Sequence, residues 1–142
     1  MKVRIKMAQF FFDRAAVVEA VDRGKRQAYS QIGAFVRRRA RSSMRRRSGY
    51  APPGSPPNAH AGQLKELLYF AYDPGPDSVV IGPERFKEGE VPWLLEHGGW
   101  AMRKDRKTGR LRRVHYQARP FMGPALEAEK EKIPGAFSAV VR

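Results

Sequence analysis

Hydrophobic and polar positions divide the chain into stretches of different period. From Lys2 to Met7, Val3, Ile5 and Met7 alternate with Lys2, Arg4 and Lys6. A period of two predicts a half-buried strand with a cationic outer face. Phe10–Phe11–Phe12 follows, and Asp13 is placed to cap a helix. Beyond Arg14 the period lengthens. Val17, Val21, Gly24, Ala28, Ile32, Phe35 or Val36, and Ala40 recur at steps of three and four. That is the buried stripe of one long amphipathic helix over about Arg14–Met44. At ~1.5 Å per residue it spans roughly 46 Å, against a diameter of roughly 37 Å for a compact domain of this length. The helix is expected to overhang its domain at the Arg-rich end, unless it breaks near Gly33 and folds back. Gly24 and Gly33 each cost it ~1 kcal/mol relative to Ala.

The pattern then stops. Ser48 to Gly62 holds four Pro, three Gly and two Ser, a composition that sustains no ladder and reads as a long semi-stiff loop. Leu64 to Tyr72 is apolar and aromatic, a short helical turn running into a strand. Asp73–Pro–Gly–Pro–Asp–Ser is a turn, and Val79–Val80–Ile81 a returning strand. Val91 to Gly99 predicts a short helix starting at Pro92 and stopped by Gly98–Gly99. Trp100–Arg103 and Leu111–Tyr116 flank a polar tip and predict a second hairpin. Pro120 to Lys132 predicts a short helix, halted by Pro134–Gly135, with Ala136–Arg142 left as strand or extended arm. The expected fold is α+β: an antiparallel sheet of about four strands covered by one long N-terminal helix, plus a short C-terminal helix. All 142 residues form one domain, with a basic strand and helix over 1–47, a Pro/Gly-rich loop over 48–63, and hairpins and final helix over 64–142.

Charge sharpens this picture. The chain carries 28 Lys+Arg against 14 Asp+Glu, a formal net charge of +14. Residues 1–50 hold 14 of the basic side chains and only 3 acidic ones. Two segments stand out: Arg37, Arg38, Arg39, Arg41, Arg45, Arg46 and Arg47, and then Arg103, Lys104, Arg106, Lys107, Arg110, Arg112 and Arg113. Fields of this sign attract phosphate backbones or acidic protein faces, and guanidinium forks suit both. The plainer alternative is a solvated face that maintains solubility. Trp93, Trp100, Tyr116 and Phe121 offer rings for base stacking. Trp93 and Phe121 are better assigned to the core, whereas Trp100 and Tyr116, beside the basic hairpin, stay open between the two.

Signals for catalysis are weak. With no Cys, disulfide frameworks, thiolate zinc sites and thiol nucleophiles are excluded. His60, His97 and His115 show no helical ligand spacing. No serine lies in a GxSxG context, no phosphate-binding glycine loop occurs, and Glu88 and Glu90, or Glu127, Glu129 and Glu131, read as loop and solvated helix face. No apolar run reaches the ~18 residues of a membrane span, and the first residues lack the apolar core of a secretory signal. A non-enzymatic cytoplasmic protein without cofactor or metal is expected.

Three segments carry a resemblance: Pro53–Gly–Ser–Pro–Pro–Asn–Ala–His–Ala–Gly–Gln–Leu–Lys, Val91–Pro–Trp–Leu–Leu–Glu–His–Gly–Gly, and Ala118–Arg–Pro–Phe–Met–Gly–Pro–Ala–Leu. In this order they resemble the small neck and tail-completion proteins of long-tailed phages. Those proteins show a basic N-terminal helix, a Pro-rich stretch ending Thr–Gly–x–Leu, a Glu–Phe–Gly–Thr-like segment, and Arg–Pro–Phe–(Leu/Met)–x–Pro–Ala–Leu before a C-terminal helix. The positions matched here are Gly62, Leu64, Glu96, Gly98, Arg119, Pro120, Phe121, Pro124, Ala125 and Leu126. The likeness covers about Val17 to Lys132, and Arg119–Leu126 is its most specific part. Ala61 stands where Thr is common, and His97–Gly98–Gly99 where Phe–Gly–Thr is common.

Pro120 and Pro124 set the first turn of the last helix. Phe121, Ala125 and Leu126 are expected to face the sheet. Arg119 is expected to pair with Glu96. The resemblance implies a virion structural protein without catalytic residues, forming a closed ring at the head–tail junction, a hexamer first and a dodecamer second. It implies head-completion or adaptor proteins and a tail terminator or tail tube as neighbours, with packaged DNA passing through. One of the two basic segments is expected to line the channel; the alternative is docking on acidic neighbours. A freestanding sequence-independent nucleic-acid-binding protein is the rival from another class.

Overall fold

A computed structural model describes residues 13–60, 62–84 and 90–140. The strand expected over Lys2–Met7, and Ala61 and Glu88, lie outside these residues.

The long helix forms as the apolar period requires. α1 runs unbroken from Arg14 to Ser43, and the Asp13 carboxylate accepts a 3.1 Å hydrogen bond from the Ala16 amide at its start. Its buried stripe is Gly24, Ala28, Ile32, Gly33, Val36 and Ala40, continued by Met44. The stripe does not extend to the helix start. Residues 13–23 are exposed throughout, Val17, Val18 and Val21 included. Among the described residues the overhanging end is therefore the N-terminal one, not the Arg-rich one, because the core stripe of α1 begins at Gly24.

Gly33 has a packing reason that offsets its low helix propensity. A Cβ there would lie 2.5 Å from a ring carbon of Phe70. Phe70 belongs to β1 (Leu68–Asp73), which pairs antiparallel with β2 (Ser78–Pro83) in the register Phe70↔Ile81 and Tyr72↔Val79. Leu68, Phe70 and Tyr72, with Val79 and Ile81, face the helix, while Tyr69, Ala71 and Val80 face outward. The turn is tied to α1 by the Asp77 carboxylate, which accepts from Lys25 Nζ at 2.9 Å and from the Tyr72 hydroxyl at 2.7 Å. The Tyr72 hydrogen bond and then the Lys25 ammonium hold the Asp77 carboxyl below the ordinary carboxylate range.

A single turn of helix, α2 (Gln63–Glu66), precedes β1. α3 (Val91–His97) leads into β3 (Gly99–Lys104), paired antiparallel with β4 (Leu111–Tyr116). The architecture is α+β, with the long helix, four antiparallel strands and a short C-terminal helix. The strands are divided between two two-stranded ribbons, and α1 covers only β1–β2.

The C-terminal part is more helical than the sequence suggests. α4 (Met122–Glu129) continues through a tight turn at Lys130–Lys132 into α5 (Ile133–Ser138). Pro134 and Gly135 do not halt the chain: Pro134 sits in the first turn of α5, where its missing N–H costs nothing. Ala136–Ser138 is thus helix rather than strand or arm. Phe121 and Ala125 are buried in the core that α1 and α4 share with Leu68, Val79 and Ile81 of the β1–β2 ribbon, and Leu126 is half exposed. Glu129 is buried, yet both its oxygens are used. Oε1 accepts from Arg39 Nε at 2.8 Å and Oε2 from Lys132 Nζ at 2.6 Å. The Lys132 hydrogen bond, with Arg39 beside it, holds this carboxyl below its ordinary value against the opposing effect of burial.

Candidate functional site

Two regions gather the residues singled out in the sequence. The first joins three distant segments. The Glu96 carboxylate, on α3, accepts from the backbone amides of Phe121 (2.9 Å), Met122 (3.0 Å) and Gly123 (2.7 Å). These are the unsatisfied N–H groups at the start of α4, so Glu96 caps a helix from another part of the chain. Arg119 does not pair with Glu96. Its Nε donates to the Ala51 carbonyl at 2.7 Å and its Nη1 to the Gln117 carbonyl at 3.1 Å. A carboxylate offered three convergent amides is already satisfied, and Arg119 is free to anchor the Pro-rich loop instead. That loop is further held by Gly54 N–H to the Ala118 carbonyl at 2.9 Å. Gly98 takes φ 72° and ψ −173°, a conformation nearly restricted to glycine. A Cβ there would also lie 2.9 Å from the Ala118 nitrogen. Gly62 is buried between the Arg46 guanidinium and the Glu66 carboxylate, and Leu64 packs on the core. Pro120 is half buried and Pro124 exposed in the first turn of α4.

The second region is the basic surface, and it splits in two. In the Arg37–Arg47 segment, Arg37 Nε donates to the Leu68 carbonyl and its guanidinium lies over Tyr69. Arg38 lies 5.3 Å over the Phe35 ring, and Arg39 binds Glu129. Arg41 lines a shallow crevice with Lys65, while Arg45, Arg46 and Arg47 are exposed in the following loop.

The β3–β4 ribbon is different. Arg103, Lys104, Arg106, Lys107, Arg110, Arg112 and Arg113 are all exposed, and none forms an ion pair among the described residues. The lone ribbon acid, Asp105, turns its carboxylate onto the Lys107 and Thr108 amides at 2.8 and 3.0 Å. The Thr108 and Lys107 amides hold it below the ordinary carboxylate range. Register sets Trp100 opposite His115, Met102 opposite Arg113, and Arg103 opposite Arg112. Arg113 lies 4.7 Å over the Trp100 ring. Trp100, Met102 and Leu111 are 58%, 61% and 64% exposed.

A groove of about 790 Å³ separates the ribbon from α3; Trp93, on its wall, is 56% exposed and so is not the core residue expected. Tyr116, at the ribbon's root, is half buried. Met102 and Leu111 escape a search based on charge. The signal that finds them is register, because period-two alternation places them on the Trp100 face. No group of three His, Asp or Glu residues is placed to hold a metal among the described residues, and no helix there is long and apolar enough to cross a membrane.

Comparison of the chain with protein-family models, curated proteins and solved structures finds no match.

Proposed function

We propose that this chain is a structural virion protein that assembles as a ring at the head–tail junction, completing the neck, joining tail to DNA-filled capsid and letting DNA pass. The observation that supports the reading is the convergence of its three motif segments. The Pro-rich loop, the Glu96 helix and the Arg119–Leu126 element lie far apart in sequence, yet they meet through Glu96, Arg119 and Ala118. A loop pinned at its base and an overhanging α1 start are features suited to contacts with neighbouring subunits, and head-to-tail contacts of that kind close into rings. The ring is a hexamer on this reading, with a dodecamer as the other stoichiometry. Its neighbours are the adaptor above and the tail terminator or tube below, and its site of action is the virion after assembly in the host cytoplasm.

The test is native mass and negative-stain imaging of the purified protein, alone and with tails lacking it. Rings of defined stoichiometry that restore joining of tails to heads support the proposal. A monomer at every concentration that restores nothing overturns it. The exposed cations of the β3–β4 ribbon favour the second reading, a freestanding sequence-independent nucleic-acid-binding protein; it predicts tight, salt-sensitive DNA binding by a protein that never forms rings.

A further inference from the structure

We infer that the β3–β4 ribbon, and not the Arg-rich end of α1, is the element that touches nucleic acid, gripping the phosphate backbone of a duplex without reading its sequence. The inference deepens the proposed function and rests on it for the identity of that duplex as packaged DNA.

Counter-charge is the first support. The ribbon and its tip carry seven cations between Arg103 and Arg113, and their one acid, Asp105, is occupied with turn amides. Glu90 shares the wall of the adjoining groove but makes no ion pair among the described residues. By contrast, Arg37 is engaged by a backbone carbonyl and Arg39 by a buried carboxylate of their own fold, and Arg45, Arg46 and Arg47 are exposed only in the loop beyond α1.

Register is the second support. Arg103 stands directly opposite Arg112, and like charges so placed oppose ribbon formation. A polyanion laid along the ribbon removes that opposition.

Shape is the third. Two six-residue strands extend ~20 Å, and the ribbon packs mainly on itself. A two-stranded ribbon is narrow enough for the major groove. Its Trp100 face offers apolar contact, with Arg113 held over the indole. Apart from Asp105, its charge is of one sign along both strands and around the tip, as a line of phosphates requires.

The experiment measures binding of a mixed-sequence 20-base-pair duplex by fluorescence anisotropy between 50 and 200 mM NaCl. Wild type is compared with Arg103→Gln/Arg110→Gln/Arg112→Gln and with the equal-charge variant Arg45→Gln/Arg46→Gln/Arg47→Gln. Each phosphate contact contributes about −0.9 to the slope of log K against log salt. The ribbon variant is expected to flatten that slope by about 2.7, so that wild type loses about 40-fold more affinity than the variant across this range. The loop variant is expected to change the slope by less than about one contact's worth. The ribbon variant is also expected to melt no lower than wild type, because the Arg103–Arg112 opposition is gone; this keeps misfolding from imitating the result.

A larger slope change in the loop variant overturns the inference, as does a wild-type slope in the ribbon variant. Equal competition by polyglutamate at matched charge also overturns it, in favour of an acidic protein partner. Native mass and tail joining are measured on the same preparations. Rings that join tails but ignore DNA overturn the ribbon inference alone. A DNA-binding monomer with the expected slopes supports the ribbon and overturns the neck reading.

Discussion

Replacing Glu96 by Ala isolates the contact that joins α3 to α4. The carboxylate accepts three backbone N–H groups at 2.7–3.0 Å, two of them part-buried. Its removal leaves the first turn of α4 uncapped. Loss of a cap costs ~0.5–2 kcal/mol, and loss of a negative charge at a helix N-terminus a further ~0.3–1 kcal/mol. Water replaces part of the bond to exposed Gly123 but little of those to Phe121, which is buried. The expected loss is about 2–3 kcal/mol. At ~3 °C per kcal/mol for a domain of this size, the melting temperature falls by about 6–9 °C. Glu96→Gln keeps one acceptor oxygen and turns an amide NH2 toward other donors, so its loss is about half as large. Glu127→Ala is the control: Glu127 makes only an exposed pair with Lys130 at 3.3 Å, worth ~0.3–0.5 kcal/mol. Calorimetry of the three variants, with urea unfolding for ΔΔG, checks the ranking. A Glu96→Ala protein that melts within 2 °C of the Glu127→Ala control would refute the capping role (about 0.7 kcal/mol on the same scale).

Gly98→Ala forces a Cβ against the Ala118 nitrogen at a φ of 72°, and is expected to cost at least ~2 kcal/mol in urea unfolding; a neutral result would contradict the backbone conformation. Gly33→Leu drives a side chain into Phe70 and Val79 and is expected to cost ~1–3 kcal/mol despite its better helix propensity, whereas a rise in stability would mean that α1 and β1 are not in contact there. The Glu129 carboxyl sits below its ordinary value of 4.5 through Lys132 and then Arg39. Its contribution is therefore complete above that value and is lost as pH falls through the lower folded one. Glu129→Gln should lower stability at neutral pH and flatten the fall in melting temperature as pH drops below the ordinary carboxylate value of 4.5; an unchanged acid limb argues against the pair.

Elements were legible in the sequence where period and punctuation act locally. α1 follows from its three- and four-residue steps, and both ribbons follow from apolar runs on either side of Pro/Gly or Lys–Thr–Gly tips. What was not legible depends on partners brought in by folding. The stripe from Val17 to Val21 is indistinguishable in period from the stripe after Gly24, yet Val17 and Val21 are exposed while Gly24, Ala28, Ile32 and Val36 are buried. Trp93 is apolar enough for a core but sits on the α3 wall of an open groove. Pro134 reads as a stop in isolation and serves as a start once Lys130–Lys132 has turned the chain.

The same distinction governs the arginines. By composition the two basic segments are equivalent, since each is a dense run with almost no acid within it. They differ in what folding brings to them. Glu129 lies 90 residues from Arg39 and reaches it only because α4 packs on α1; the Leu68 carbonyl reaches Arg37 only because β1 does. Those partners turn part of one run into internal fastening, where a guanidinium is chosen for its fork as much as for its charge. The ribbon receives no such partner among the described residues, and its register sets Arg103 against Arg112. A cation that no carboxylate pairs among the described residues, and that is held beside another, is open to a partner outside the fold. The groups that folding brings, a carboxylate for Arg39 and a carbonyl for Arg37, therefore mark those two arginines as structural, a distinction that composition does not carry.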